Sequence, residues 1–301
     1  MSARTIRPLG RTGLHPGLIG FGAIEIGRDW GIGTEADRRR PGEEEAGKTL
    51  LEVLDLGVTL IDTASAYHRS EERIGTFLHD RRKEYVLATK CGEHSDEPRT
   101  YYDFSYSAIA ASIDRSLNLL QTDVIDLLQI HFGPDPDAVL DDGGCVRAMR
   151  EAQERGVVRF LGASAKGPIL DRCIDDGTFD VLQMRCSLLD QAEEARIARA
   201  HARGIGVLIK SSLAGGWLTR RALTVSPQER PPGVNALLNL CGQDPNLLAR
   251  LGLHYLASQA GVSCILVGSR SAANIRSALE QVEMPVDADL LARAREVVRL
   301  A

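Results

Sequence analysis

Three short apolar runs of this chain end at or near a side chain that can handle a proton: Asp62 in TLIDTA, Lys90 in YVLATK and His131 in VIDLLQIH. Tyr67 lies five residues past Asp62. A phenol, with an ordinary pKa of about 10, is a poor acid at neutral pH unless its anion is stabilised. A nearby ammonium lowers that value, and an aspartate keeps the lysine charged and oriented. An imidazole reaching the same oxygen orients a carbonyl or relays the proton. Together the four expect a site that polarises a carbonyl while hydride arrives from elsewhere. No side chain delivers hydride, so a nicotinamide cofactor is implied. Taken singly, each has a plainer reading: Asp62 and Lys90 as a core ion pair, His131 and Tyr67 as packing. Ser70, at the start of the next helical stretch, reads as its cap.

These residues meet only if the runs that carry them are parallel neighbours. Eight near-continuous apolar runs read as strands buried on both faces: 18–23, 59–64, 85–90, 124–131, 158–164, 181–187, 206–211 and 264–269. Helical stretches fall between them at 45–56, 70–79, 107–120, 145–155, 168–176, 191–203, 244–259 and 271–281. Several close on glycine just before a strand, as in LDLGVTLIDT, QERGVVRFLG and HARGIGVLIK. Eight strand–helix units predict an α/β chain folded as a (β/α)8 TIM barrel, one domain over residues 1–301. A doubly wound dinucleotide sheet fits badly, because Gly20 and Gly22 lie inside the first strand and a polar loop follows.

Barrel chemistry is built on the loops that follow the strands. Ser164 ends the fifth run, Lys210 nearly ends the seventh, and Ser269 and Arg270 close the eighth. Long connections at 26–44, 91–106, 132–144 and 212–243 read as binding loops or lids. Trp30, His68, Tyr102 with its aromatic neighbours Tyr101, Phe104 and Tyr106, Phe132 and Trp217 are expected to line the substrate pocket. That lining favours a ring-bearing or bulky apolar carbonyl over a small sugar. Ser269 and Arg270 precede a helix start near Ser271, so backbone N–H groups and a guanidinium converge on one anion. The cofactor is therefore expected to be NADPH rather than NADH, with Arg276 as a competing phosphate ligand.

The composition sets outer limits. With 301 residues, 44% hydrophobic and 26% charged, the chain reads as an ordinary globular protein with ample core. A net charge of −5 argues against nucleic acid or an anionic membrane as the main partner. No run approaches a membrane span, and MSARTIRPLGRTG holds no apolar signal core, so a cytoplasmic enzyme is expected. The six cysteines are scattered without a CxxC pair, so neither a metal site nor a disulfide framework is expected. There are only five lysines against 31 arginines, which singles out Lys90 and Lys210.

Over nearly its whole length the chain resembles the aldo-keto reductases, through LGRTGL (9–14), GVTLIDTASAYHRSEERIG (57–75), VLATKCG (86–92), DLLQIH (126–131) and GASA (162–165). IKxxLxxG near 209 is similar to a bacterial branch of that family. The resemblance implies reduction of an aldehyde or ketone with NADPH, and a catalytic tetrad of Asp62, Tyr67, Lys90 and His131 with Tyr67 as general acid. It puts Ser164 and Gln183 on the nicotinamide carboxamide, and Gly22, Ala23 and Asp62 beside the cofactor. Lys210, Ser211, Leu213 and Gly216 match the segment covering the pyrophosphate, and Ser269, Arg270 and Asn274 the adenosine-phosphate segment. The chain departs from the family pattern at His68 for glycine, Ala165 for asparagine, Lys210 for a stacking aromatic, Ser212 for proline and Phe132 for tryptophan. Two other uses of the same site are a nicotinamide-binding regulatory subunit with little turnover, and dehydrogenation or redox-neutral isomerisation.

Overall fold

The computed structural model describes residues 5–31 and 34–300; positions 1–4 of the N-terminal stretch and 32–33 of the 26–44 connection lie outside them. In chain order the strands are β1 (Ile19–Gly22), β2 (Leu60–Asp62), β3 (Val86–Cys91), β4 (Glu93–Asp96), β5 (Arg99–Tyr102), β6 (Ile125–His131), β7 (Val158–Ala165), β8 (Val181–Arg185), β9 (Gly206–Lys210) and β10 (Cys264–Gly268). Eight of them close a barrel in the order β1-β10-β9-β8-β7-β6-β3-β2, every pair parallel. This is the (β/α)8 barrel expected from the eight apolar runs, and no strand end moves by more than two residues.

Side chains alternate between the two faces of each strand. Outward residues such as Ile19, Ile61, Leu87, Leu128, Leu182 and Ile209 join the large core beneath the surrounding helices. Inward residues Leu60, Ala88, Leu127, Val181, Leu208, Cys264 and Leu266 form a separate buried plug. Two residues further along five of these strands the inward position turns polar: Asp62 after Leu60, Lys90 after Ala88, Gln129 after Leu127, Gln183 after Val181, Lys210 after Leu208. A polar layer therefore sits on an apolar one at the C-terminal mouth, as the barrel's period of two dictates. Leu9 joins the plug from below, and a Cβ on Gly10 would lie 2.2 Å from the backbone of Gly206. The LGRTGL segment thus closes the far end of the barrel from the polar mouth.

The connections hold structure that was read as loop. Residues 91–106 contain the antiparallel hairpin β4–β5, with Glu93 opposite Tyr102 and Ser95 opposite Thr100. Helices Pro136–Asp142 and Val234–Leu240 occupy parts of the third and fourth long connections, and helix Ala288–Arg299 follows the last expected one. Among the described residues no helix is long and apolar enough to cross a membrane.

Candidate active site

The three N–H donors of Lys90 have three acceptors: Asp62 Oδ2 at 2.6 Å, the Thr63 carbonyl at 2.8 Å and the Tyr67 hydroxyl at 3.4 Å. Lys90 and Asp62 are both buried. The other carboxylate oxygen of Asp62 accepts from Gln183 at 2.8 Å and Gln129 at 3.0 Å. Gln129 reaches it because β7 carries glycine beside it; a Cβ on Gly162 would lie 3.0 Å from the Gln129 side chain. Burial disfavours charge on Lys90, but Asp62 and then Tyr67 outweigh it and hold the ammonium above its ordinary range. Burial also pushes the Tyr67 phenol up, with Lys90 opposing that rise but not cancelling it. Lys90 thus lowers the phenol as expected, but desolvation of a buried phenolate exceeds that contribution.

Two backbone features aim Tyr67. Gly27, at the end of the short helix after β1, lies so close that a Cβ there would sit 2.2 Å from the Tyr67 carbonyl and 2.4 Å from the Ser70 nitrogen. His68 takes a left-handed φ of 49°, the region glycine adopts without strain. Its Nδ1 lies 2.7 Å from Ser95 Oγ on the hairpin. Ser70 is not the cap expected of it. Its hydroxyl is fully buried, donates to the Ala23 carbonyl at 2.9 Å and accepts from Thr63 at 2.8 Å, tying β1 to β2.

The hairpin puts alternate residues on the mouth. Glu93 Oε2 lies 3.0 Å from His131 Nδ1, off the direction of a straight hydrogen bond, and Glu93 Oε1 lies 3.7 Å from Arg28. Burial disfavours the Glu93 carboxylate, but the imidazole of His131, Thr100 and Arg28 carry it below its ordinary range. His131 is held low, mainly by burial. Its ring meets that of Tyr67 edge to face, centroids 6.0 Å apart. Arg28 also lies over the half-exposed Trp30 ring at 5.6 Å. Tyr102, half-exposed and stacked on Phe104, packs on the backbone of Gly133 just past Phe132. His68 follows Tyr67 in the chain, Phe132 follows His131, Tyr102 stands opposite Glu93 on the hairpin, and Trp30 lies beside Arg28. Trp217 lies in the segment that leaves β9, across the barrel from β3, and packs on the core as Phe132 does.

On that far side Lys210 Nζ donates to Ser164 Oγ at 2.8 Å, and Ser164 donates to Gln183 Oε1 at 3.0 Å. Burial, then the charge of Lys90, draws Lys210 down to about 8. Ser211 and Ala214 hold left-handed φ values of 57° and 51°, and Gly215 and Gly216 follow at 66° and 102°. Leu213 lies within this turn and contributes backbone to it. Gly22 pairs with Asp62 on one side and Gly268 on the other. Ala23 donates its N–H to the Asp62 carbonyl and accepts from Ser70 at its own carbonyl. Ser271 caps helix Ala272–Glu283, Asn274 donates to Ser269 Oγ at 3.0 Å, and Arg270 donates to the Arg39 carbonyl at 2.6 Å. Glu93, Gln129 and Arg28 were not singled out from the sequence. Gln129 alone had a readable signal, as the inward residue two before His131.

The sequence profile of the aldo/keto reductase family matches residues 18–299, and the chain belongs to that family. It is accordingly an oxidoreductase of carbonyl compounds that works with a nicotinamide cofactor. It is 28% identical to L-galactose dehydrogenase of Arabidopsis thaliana, over 99% of this chain and 95% of the relative. It is 26% identical to the NADH-specific methylglyoxal reductase of Escherichia coli K12, over 89% and 90% respectively. Among solved structures, an aldo-keto reductase of Bacillus halodurans in a holo form superposes with a TM-score of 0.84, 26% identity, and coverage of 99% of this chain and 98% of that one.

Proposed function

We propose that this single barrel domain, spanning residues 1–301, reduces an aldehyde or ketone to an alcohol with NADPH, and that Tyr67 is the general acid. The observation that carries this reading is the buried Lys90 ammonium shared between Asp62 at 2.6 Å and the Tyr67 hydroxyl at 3.4 Å. A phenol is already protonated at neutral pH and burial raises its pKa further, so it stands loaded as a donor. Lys90, held charged by Asp62, stabilises the phenolate as the proton leaves for the developing alkoxide. Oriented donors that cost no rearrangement during reaction are the strongest contribution a protein makes to such a step.

The residues of the far side fit a nicotinamide dinucleotide. The cofactor, when bound, supplies the hydride. Ser164 Oγ and Gln183 Oε1, already joined in one hydrogen-bond chain with Lys210, each keep an acceptor lone pair for the cofactor's carboxamide. The left-handed residues Ser211, Ala214, Gly215 and Gly216 give the segment after β9 a backbone conformation of the kind found in phosphate-binding turns. Non-glycine residues held there store about 1–3 kcal/mol of strain each, which functional sites tolerate. Ser269, Arg270 and Asn274 at the start of a capped helix would take the phosphate that distinguishes NADPH. A regulatory subunit has no use for a charged lysine buried against a phenol, so turnover is the better reading. All six cysteines are free and buried, which suits the reducing cytoplasm.

The names of the relatives point to both reaction directions and, in one case, to NADH, so the test must separate these choices. A panel of aromatic, aliphatic and sugar aldehydes and ketones, run with NADPH and with NADH, should show steady loss of reduced cofactor. The fastest turnover is expected with NADPH and a ring-bearing carbonyl. No consumption with any member of the panel would overturn the reading.

A further inference from the structure

Glu93 sits where no part of the proposed reaction has used it. It opens the hairpin, is buried, and has its carboxylate spread between two cationic or potentially cationic partners, His131 Nδ1 at 3.0 Å and Arg28 at 3.7 Å. That Nδ1 is itself buried and has no hydrogen-bond partner in a straight geometry. The other ring nitrogen, Nε2, makes no hydrogen bond among the described residues, and the ring stands edge to face with Tyr67. Contacts of this kind are often bent before substrate binds and straighten in the complex. A carboxylate beside one nitrogen of an imidazole decides which nitrogen carries the proton.

We propose that Glu93 is a positioning residue for His131: its carboxylate holds the imidazole proton on Nδ1, leaving the Nε2 lone pair open to the reacting oxygen. The inference rests on the carbonyl–alcohol chemistry proposed above and specifies how His131 enters it. With Nε2 as an acceptor, the resting site matches the O–H of an alcohol. To donate to a carbonyl oxygen, His131 must first take a second proton on Nε2 from solvent and become imidazolium, a charge that the Glu93 carboxylate stabilises. Reduction is then favoured at lower pH and alcohol oxidation at higher pH, with the crossover set by His131. Four charged or titratable groups face that imidazole: Glu93 from the hairpin, Lys90 from β3, Lys210 from β9 and Tyr67 from the turn after β2. Arg28 stands behind Glu93. Lys90 and Lys210 oppose the imidazolium, so Glu93 supplies the favourable charge.

The direct test needs no turnover. Nitrogen-15 NMR of histidine-labelled protein, without cofactor, reads the tautomer, and His131→Gln identifies the signal among the seven histidines. Wild type should show protonated Nδ1 and bare Nε2. In Glu93→Gln the His131 titration midpoint should move down by about one pH unit or more, since one opposite charge is lost. In the same variant kcat/KM for reduction should fall roughly 10- to 100-fold, by analogy with carboxylates that orient metal-bound histidines, with its pH limb displaced downward. Glu93→Asp should restore part of both. Protonated Nε2 in wild type, or an unchanged His131 midpoint in folded Glu93→Gln, overturns the proposal. Because the tautomer is read in cofactor-free protein, its failure is distinct from failure of the carbonyl panel.

Discussion

The Lys210 ammonium donates a 2.8 Å hydrogen bond to Ser164, which places a second, partly buried lysine opposite Lys90 in one barrel mouth. Two cations facing one mouth disfavour each other. Lys90 keeps its proton through Asp62, and Lys210 gives way, drawn to about 8 by burial and by Lys90. One lysine is thus fixed in charge and the other titrates near physiological pH.

The oxidised nicotinamide ring is cationic and the reduced ring neutral, so the charge of Lys210 should discriminate between them. Two unit charges 10 Å apart repel by ~1.7 kcal/mol at an effective dielectric near 20. Below pH 8, where Lys210 is protonated, the oxidised cofactor should bind poorly relative to the reduced one. Above it the handicap should fade. Lys210→Met should improve relative affinity for the oxidised form about tenfold at neutral pH and abolish the pH dependence. Fluorescence titration with both cofactor forms checks this. A ratio that tracks pH equally in the variant would remove Lys210 from the effect.

Arg270→Ala should weaken NADPH binding roughly 10- to 100-fold, the worth of one or two charge-assisted hydrogen bonds. NADH, which lacks the extra phosphate, should lose little. Equal losses for both cofactors would mean that Arg270 acts by holding the Arg39 carbonyl, its partner at 2.6 Å, and so shapes the groove without touching phosphate.

His68→Gly sets two small effects against each other. Releasing a left-handed residue gains about 1 kcal/mol, and losing the tie to Ser95 costs about as much. The melting temperature should therefore move by only a few degrees. Substrate ranking should change, because an imidazole beside Tyr67 is replaced by open space. Specificity constants for polar and apolar carbonyls, measured side by side, decide the matter; an unaltered ranking would reduce His68 to a tie between turn and hairpin.

The parts that were legible in the sequence are those with strong periodicity. Parallel strands buried on both faces leave continuous apolar runs, so all eight barrel strands were readable, and with them the convergence of Asp62, Lys90 and His131. The β4–β5 hairpin was not. EHSD and RTYY place polar groups on both faces, with no apolar alternation to reveal them. Glu93 was hidden with it, although only three residues past Lys90. Ser70 precedes two glutamates and looks like a cap, but its hydroxyl is consumed by a contact with Ala23, distant in sequence. The burial of Tyr67 was hidden for another reason: the sequence named its charged neighbour, while the depth of burial that opposes it is a property of the closed barrel.

The central claim is that the Tyr67 hydroxyl delivers the proton, and the Tyr67→Phe variant isolates that one oxygen. The decisive measurement is its single-turnover rate of carbonyl reduction with saturating NADPH, made alongside cofactor affinity. The ring and its packing beside Lys90 remain, so affinity should stay within a few-fold of wild type. The rate should fall on the order of 10²–10⁴-fold, the contribution of a positioned general acid. A variant that reduces its carbonyl at the wild-type rate would contradict the account.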